Sequence, residues 1–110
     1  MGGKVIEVTD LSFKDIISKN SNIIVDCWAE WCGPCMMLKP MFEELSGEYM
    51  DVAFAKLDVD RNTTIASEYR IMSIPTLLVF KNGVLIDTWI GAMPKPMLKE
   101  KINEAFQGKI

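Results

Sequence analysis

The stretch Ile23–Cys35, IIVDCWAEWCGPC, carries most of the information about the fold. Its first part, Ile23–Trp28, is apolar on both alternating faces except at Asp26, a pattern typical of a central strand that is covered on both sides. Cys32 and Cys35 follow at the head of an amphipathic segment. Residues three apart lie on neighbouring faces of a helix, so the two sulfur atoms can meet without backbone movement. The sequence therefore predicts a reversible dithiol–disulfide pair between a buried strand and a helix.

The segment after the strand predicts a helix from about Cys32 to Tyr49. Its apolar period continues past Pro40, so we expect the proline to kink the helix rather than end it. Cys35 belongs to the core-facing series, whereas Cys32 lies at the tip of the helix. The pattern predicts one accessible thiol, that of Cys32, and one sheltered thiol. The apolar positions that recur at close to 3.6 residues are Cys35, Leu38, Met41, Phe42, Leu45 and Tyr49.

The rest of the chain predicts a mixed α/β fold. Helix caps are expected at Thr9 or Asp10, for a helix to about Ser18, and at Asn62, for a short helix to about Tyr69. Crossover helices make the early strands parallel, whereas Lys81-Asn82-Gly83 predicts an antiparallel hairpin. The order is βαβαβαββα, with strands expected at Val5–Val8, Ile23–Trp28, Val52–Val59, Thr76–Phe80 and Val84–Ile90, and with a last helix opened by Pro94 and Pro96 and ended by Gly108.

Composition excludes several classes of function. The chain has 110 residues, a net charge of −3, three cysteines and no histidine. Without histidine, Cys-His and Ser-His-Asp catalysis and most zinc sites are excluded. The acidic balance argues against nucleic acid as a partner, and no apolar stretch reaches the length of a membrane span. Because the first residues lack the apolar run of a signal peptide, we expect a cytoplasmic protein.

The residue types assign roles within a thiol–disulfide exchange. Cys32, at a helix N-terminus that favours a thiolate, is the expected nucleophile, and Cys35 is the expected resolving thiol. Asp26 is a carboxyl group in an apolar strand, so we expect a raised pKa and a role as proton acceptor for Cys35. Lys56, on the next strand, is either the electrostatic partner of Asp26 or a surface lysine. Cys27 points away from Asp26 and is expected to pack in the core.

Six segments in this order along the chain carry a family resemblance: Val25–Cys35, Lys39-Pro40, Lys56–Asp60, Ile74-Pro75-Thr76, Lys81-Asn82-Gly83 and Gly91-Ala92. With them, the chain resembles the thioredoxin family over essentially its whole length, which we interpret as a single domain, residues 1–110. The resemblance implies a thioredoxin fold, a mixed five-stranded central sheet flanked by four helices. It also implies a monomeric, general protein-disulfide reductase that binds no cofactor and receives electrons from a partner thioredoxin reductase.

The resemblance further implies how disulfide-containing protein substrates dock. Pro75 is expected to be a cis proline in a loop that faces the cysteines. Ile74, which precedes it, would offer backbone groups to an extended substrate segment, in the manner of an added strand. Gly33 permits close approach of another chain, and Pro34 stiffens the motif. The expected docking patch comprises Trp31, Gly33, Pro34, Ile74, Pro75, Gly91 and Ala92.

Three alternatives stay open on the sequence alone. One is a glutaredoxin-like reductase that depends on a small thiol. Another is a thioredoxin-fold subunit that binds partners and whose redox activity is incidental. The last is a metal or iron–sulfur site shared by two copies, because a single copy offers too few ligands. The combination of Asp26 with Ile74-Pro75 favours the reductase, since an inert dithiol needs neither.

Overall fold

The computed structural model describes residues 4–107. Five strands and four helices follow one another in the predicted order, and the last helix passes into a π-helical turn at Asn103–Gln107. The elements are β1 Val5–Glu7, α1 Phe13–Lys19, β2 Asn22–Trp28, α2 Gly33–Glu48, β3 Ala53–Asp58, α3 Thr63–Glu68, β4 Thr76–Lys81, β5 Val84–Ile90 and α4 Lys95–Ile102.

The strands form one sheet in the order β1-β3-β2-β4-β5. β3 pairs in parallel with β1 and β2, whereas β4 runs antiparallel to both β2 and β5. The predicted mixed sheet is therefore confirmed. β2 lies at its centre, so residues 23–27 of this strand have a paired neighbour on both sides, with Asp26 paired to Lys56 on β3 and to Leu77 on β4.

Two separate cores cover the two faces of the sheet. Ile24 and Phe54 pack with Leu38 and Phe42 of α2 and with Leu98 of α4. The other face packs against α1 and α3. Because side chains alternate along a strand, β2 supplies both cores, which explains its continuous apolar run. The residues of the second core are Val8, Phe13, Ile17, Ile23, Val25, Cys27, Ala55, Leu57, Ile65, Leu78 and Phe80.

α2 positions the cysteine pair and matches the prediction closely. It begins just after Cys32, which takes the N-cap position with an extended backbone. The helix continues through Pro40 to Glu48, as the periodicity predicted. Pro34 lies in its first turn, where a missing N–H costs no helical hydrogen bond. The helix therefore carries one cysteine at its cap and the other inside its first turn.

The cap predicted at Thr9 or Asp10 is wrong, because Ser12 takes the N-cap position of α1. Asn62 takes the N-cap position of α3 as predicted, but without a side-chain cap hydrogen bond. Asp10 does not cap α1. Its carboxylate instead accepts hydrogen bonds from the backbone N–H groups of Thr64 and Ile65, at 3.1 and 2.9 Å, in the first turn of α3. Asn62 precedes α3 but its side chain makes no cap, because its Oδ1 accepts from the N–H of Asp10 at 2.8 Å. Hydrogen bonds between Asp10 and the start of α3 thus replace the side-chain cap that each residue was expected to make locally.

The hairpin follows its turn chemistry. Asn82 and Gly83 connect β4 to β5 with φ of 53° and 82°. Both angles lie in the left-handed region, which Asn and Gly tolerate best. The predicted end of the last helix at Gly108 lies outside the described residues.

Candidate active site

Cys32 and Cys35 form a disulfide at the N-terminus of α2, with their Cα atoms 5.2 Å apart. The backbone N–H of Cys35 donates to the Sγ of Cys32 at 3.2 Å. The Sγ of Cys32 also lies 3.7 Å from the carbonyl oxygen of Ile74. A donor aimed at a sulfur atom favours its negatively charged form, and the helix N-terminus acts in the same direction. The geometry therefore favours a thiolate at Cys32 once the disulfide is reduced.

The two cysteines differ less in exposure than the sequence pattern predicted. Cys32 is 4% exposed and Cys35 is 1% exposed, so both are buried. The prediction of an accessible Cys32 is wrong in this respect, because Ala29, Trp28 and Ile74 pack around the pair. Cys32 nevertheless lines a surface groove, whereas Cys35 lines an inner cavity. The two cysteines of the disulfide thus border different spaces, Cys32 the groove and Cys35 the cavity.

Asp26 lies in the inner cavity with Cys35. Its side chain is 5% exposed, and within residues 4–107 its Oδ1 has no hydrogen-bond partner. Burial raises the pKa of Asp26 to about 7, and the positive charge of Lys56 opposes part of that rise. The cavity has a volume of about 20 Å³, which is room for about one water molecule. Asp26 is therefore a carboxyl group poised to exchange a proton near neutral pH.

Lys56 lies at the rim of this cavity. It is the β3 neighbour of Asp26 in the parallel ladder, and its Nζ lies 5.5 Å from the centre of the Trp28 ring. Trp28 is half-buried, and its Nε1 has no hydrogen-bond partner among the described residues. The structure thus places Lys56 close enough to act on Asp26, as the first of its two sequence interpretations requires. The cavity is lined by Asp26, Trp28, Cys35, Met36, Lys39 and Lys56.

The groove beside Cys32 is open and mostly apolar. We call it the Cys32 groove; its volume is about 440 Å³. Trp31 is 71% exposed, and its Nε1 donates to Oδ2 of Asp60 at 2.8 Å, which fixes the ring at the groove edge. Four residues of the expected docking patch line this groove, namely Trp31, Gly33, Pro34 and Ile74. The groove residues are Trp31, Cys32, Gly33, Pro34, Val59, Ile71, Met72, Ser73 and Ile74.

The other members of the expected patch lie elsewhere. The Ile74–Pro75 peptide bond is cis, as the resemblance implied, but Pro75 itself is buried. Gly91 lies beside it, because its N–H donates to the carbonyl of Pro75 at 2.8 Å, with a φ of 91° that favours glycine. Ala92 lines a second groove with Met37, Leu38, Met41, Met93 and Pro94.

Sequence reasoning missed one wall of the Cys32 groove. Val59, Ile71, Met72 and Ser73 line it although none was predicted as a site residue. Three of them directly precede Ile74 in the chain, so their proximity to the predicted cis proline was the signal available. The apolar character of Val59, Ile71 and Met72 alone favours core packing, which is why the sequence did not single them out.

Cys27 lies apart from the redox pair. Its side chain is fully buried in the second core, on the sheet face opposite Asp26, as expected. Burial, and secondarily the charge of Asp26, raise the pKa of its thiol to about 12. A thiol so strongly protonated is a poor nucleophile. Cys27 therefore acts as a packing residue.

No group of three or more His, Cys, Asp or Glu side chains in residues 4–107 is placed to hold a metal ion. In the same part of the chain, no helix has the length and hydropathy needed to cross a membrane.

Comparison with known proteins agrees with this site. The profile of the thioredoxin family matches residues 4–104. The chain belongs to the thioredoxin family. It is 48% identical over 106 residues to thioredoxin 2 of Chlorobaculum tepidum, covering 94% of this chain and 97% of that protein. It is likewise 48% identical over 101 residues to a thioredoxin of Staphylococcus saprophyticus, covering 91% and 96% of the two chains.

Solved structures give the same result. Plasmodium falciparum thioredoxin superposes with a TM-score of 0.86 at 42% identity, covering 91% of this chain and 98% of that chain. A mutant thioredoxin from Halobacterium salinarum gives a TM-score of 0.86 at 35% identity, with 93% and 90% covered. Together with the Cys32–Cys35 disulfide, membership of the thioredoxin family makes the chain a protein dithiol–disulfide oxidoreductase.

Proposed function

We propose that the reduced protein attacks substrate disulfides through the thiolate of Cys32. The observation that carries this assignment is the hydrogen bond from the Cys35 N–H to the Cys32 Sγ at the start of α2. Cys32 also borders the groove, so a substrate sulfur can reach it from outside. In this step the Cys32 sulfur bonds to one substrate sulfur, and the other leaves as a thiolate.

Cys35 then completes the exchange. Its thiol loses a proton, its sulfur attacks the Cys32 sulfur of the mixed disulfide, and the second substrate thiolate leaves. Two electrons pass from the dithiol to the substrate, and the Cys32–Cys35 disulfide forms. Asp26 shares the inner cavity with Cys35 and has an oxygen there with no partner among the described residues, so it is the proposed acceptor of the Cys35 proton. One water molecule in the cavity would be sufficient to carry that proton between them.

The proposed substrates are proteins with exposed disulfides that dock in the Cys32 groove. An extended segment in the groove would place its backbone next to Ile74, which borders both Cys32 and the groove. Trp31, Gly33 and Pro34 form the other side, and the mostly apolar lining suits sequence-tolerant recognition. Gly91 holds the loop through the hydrogen bond that its N–H donates to the Pro75 carbonyl, and Ala92 lines the second groove.

The electrons come, in this proposal, from a partner thioredoxin reductase that reduces the Cys32–Cys35 disulfide. The protein itself would hold no cofactor, since two sulfur atoms store the two electrons. A monomer in the cytoplasm, where disulfides are kept reduced, fits a role as reductant.

An insulin-reduction assay with dithiothreitol as the electron source tests the proposal. Turnover should be lost in Cys32→Ser, because serine cannot form the mixed disulfide. Cys27→Ala is the matched control, since it removes a thiol that lies outside the site; it should retain activity, with its fold verified by circular dichroism. Insulin reduction by Cys32→Ser at the wild-type rate would reject Cys32 as the nucleophile.

A further inference from the structure

We propose that Met72 is an oxidative modification site, at which conversion of the thioether to the sulfoxide by a hydroperoxide weakens substrate docking. The inference rests on the proposed docking of substrates in the Cys32 groove. It adds to that function a control that acts on affinity and leaves the disulfide chemistry intact.

Met72 is both exposed to solvent and part of the lining of the Cys32 groove. Its side chain is 93% exposed, so a hydroperoxide meets its sulfur without any opening of the fold. It also lines the Cys32 groove, next to Ile71 and Ser73, in the segment that leads to Ile74. A thioether is apolar and adaptable, which suits a groove that receives varied substrates. A sulfoxide at the same position places a strong dipole where a substrate would bury apolar surface.

The modification is chemically complete with a hydroperoxide as the only co-reactant. One peroxide oxygen is transferred to the Sδ of Met72 as the O–O bond breaks and an S–O bond forms. The sulfur loses two electrons, and hydrogen peroxide is reduced to water. The Cys32–Cys35 pair need not take part, because in the disulfide form it has no thiol to oxidise. Cys27 is shielded in the second core.

Met50 provides an internal comparison within the same chain. It is 91% exposed, nearly as much as Met72, but it follows the C-terminal end of α2, away from the cysteines at the N-terminal end. Peroxide should therefore oxidise both methionines at similar rates, while only the change at Met72 should alter the groove. Because Met50 and Met72 are almost equally exposed, a difference between the effects of oxidising them must come from their different positions in the fold.

The test treats the disulfide form with hydrogen peroxide, locates sulfoxides by peptide mass spectrometry, and then measures insulin reduction. Oxidation should raise the KM for insulin by roughly threefold to tenfold, the loss expected for one or two buried methylene equivalents, with kcat unchanged. Met72→Leu keeps an apolar side chain that cannot be oxidised, so its KM should resist peroxide. Met72→Gln, a polar chain of similar length, should show the raised KM without any peroxide.

Met50→Leu and Met50→Gln are the matched controls, and both should behave as the wild-type protein does. The proposal is overturned if peroxide raises the KM of Met72→Leu as much as that of the wild type, which would implicate another methionine such as Met36 or Met37. It is also overturned if Met72→Gln keeps the wild-type KM. Failure of the underlying function is distinguishable, because then the untreated wild-type protein would itself fail to reduce insulin.

Discussion

Asp26 and Cys27 are consecutive residues of one strand with opposite surroundings. Both are buried, and burial raises the pKa of both, to about 7 and about 12. Asp26 faces a small cavity shared with Cys35 and Lys56, whereas Cys27 faces a core of aliphatic and aromatic side chains. Burial of a titratable group alone therefore does not create a catalytic site. A buried titratable group becomes useful when its pKa stays near working pH and a reacting atom shares its cavity.

The largest expected contrast lies in alkylation of the reduced protein. At pH 7 a thiol with a pKa of about 12 is ionised to about one part in 10⁵, so Cys27 should react very slowly with iodoacetamide. Cys32, with its helix N-terminus and the Cys35 N–H donor, should react at least about 10³-fold faster. Peptide mass spectrometry after timed quenching measures both rates. Denatured protein, in which both thiols react, is the control; fast native labelling of Cys27 would show that the second core opens readily.

Asp26 should also make stability depend on pH. Its folded-state pKa, about 7, lies above its ordinary value of 3.8, so the folded state binds the proton more tightly than the unfolded state does. The contribution of Asp26 to stability is therefore fully present below about pH 4 and is lost as pH rises to about 7. Between pH 5 and pH 9 the loss should be about 3 kcal/mol in the free energy of unfolding.

Urea unfolding of the disulfide form at several pH values measures this slope. In Asp26→Asn the slope should largely disappear, because asparagine does not titrate. Glu30→Gln removes an exposed carboxyl group close to the cysteines in sequence and should keep the wild-type slope. Equal slopes in wild type and Asp26→Asn would mean that the folded-state pKa of Asp26 is not raised.

The same substitution should slow catalysis. Asp26→Asn removes the proposed acceptor of the Cys35 proton, and general bases contribute about 10²-fold or more, so insulin reduction at pH 7 should fall by about 10²-fold. The loss should shrink as pH rises, because hydroxide then removes the proton directly. The rate of disulfide reduction at each pH is measured by stopped-flow Trp fluorescence and by the insulin assay. A loss below about twofold, with an unchanged pH profile, would exclude Asp26 as the acceptor.

The sequence predicted the sheet, the helix with its two cysteines and the opposite orientations of Asp26 and Cys27, because these follow from local periodicity. It failed where distant segments meet. Asp10 caps α3 across the fold, in place of the expected local cap at α1. Cys32 is covered by Ile74, far away in sequence, so its predicted exposure was wrong. The sequence also did not predict that Met72 lines the Cys32 groove, because apolar character alone does not distinguish a core residue from one on a binding surface.

The smallest expected effect separates two lysines that line the same cavity. The charge of Lys56 lowers the pKa of Asp26, so Lys56→Met should move the midpoint of the pH–rate profile upward and slow insulin reduction at pH 7 by about twofold to threefold. Lys39 also lines the cavity, but its side chain is exposed and water screens its charge, so Lys39→Met should shift the midpoint less. Equal shifts of the midpoint in both variants would show that the pKa of Asp26 depends on the total positive charge around the cavity rather than on Lys56 in particular. A shift in neither would leave Lys56 as a surface lysine whose stem packs against Trp28, because a cation that interacts with Asp26 must change its titration.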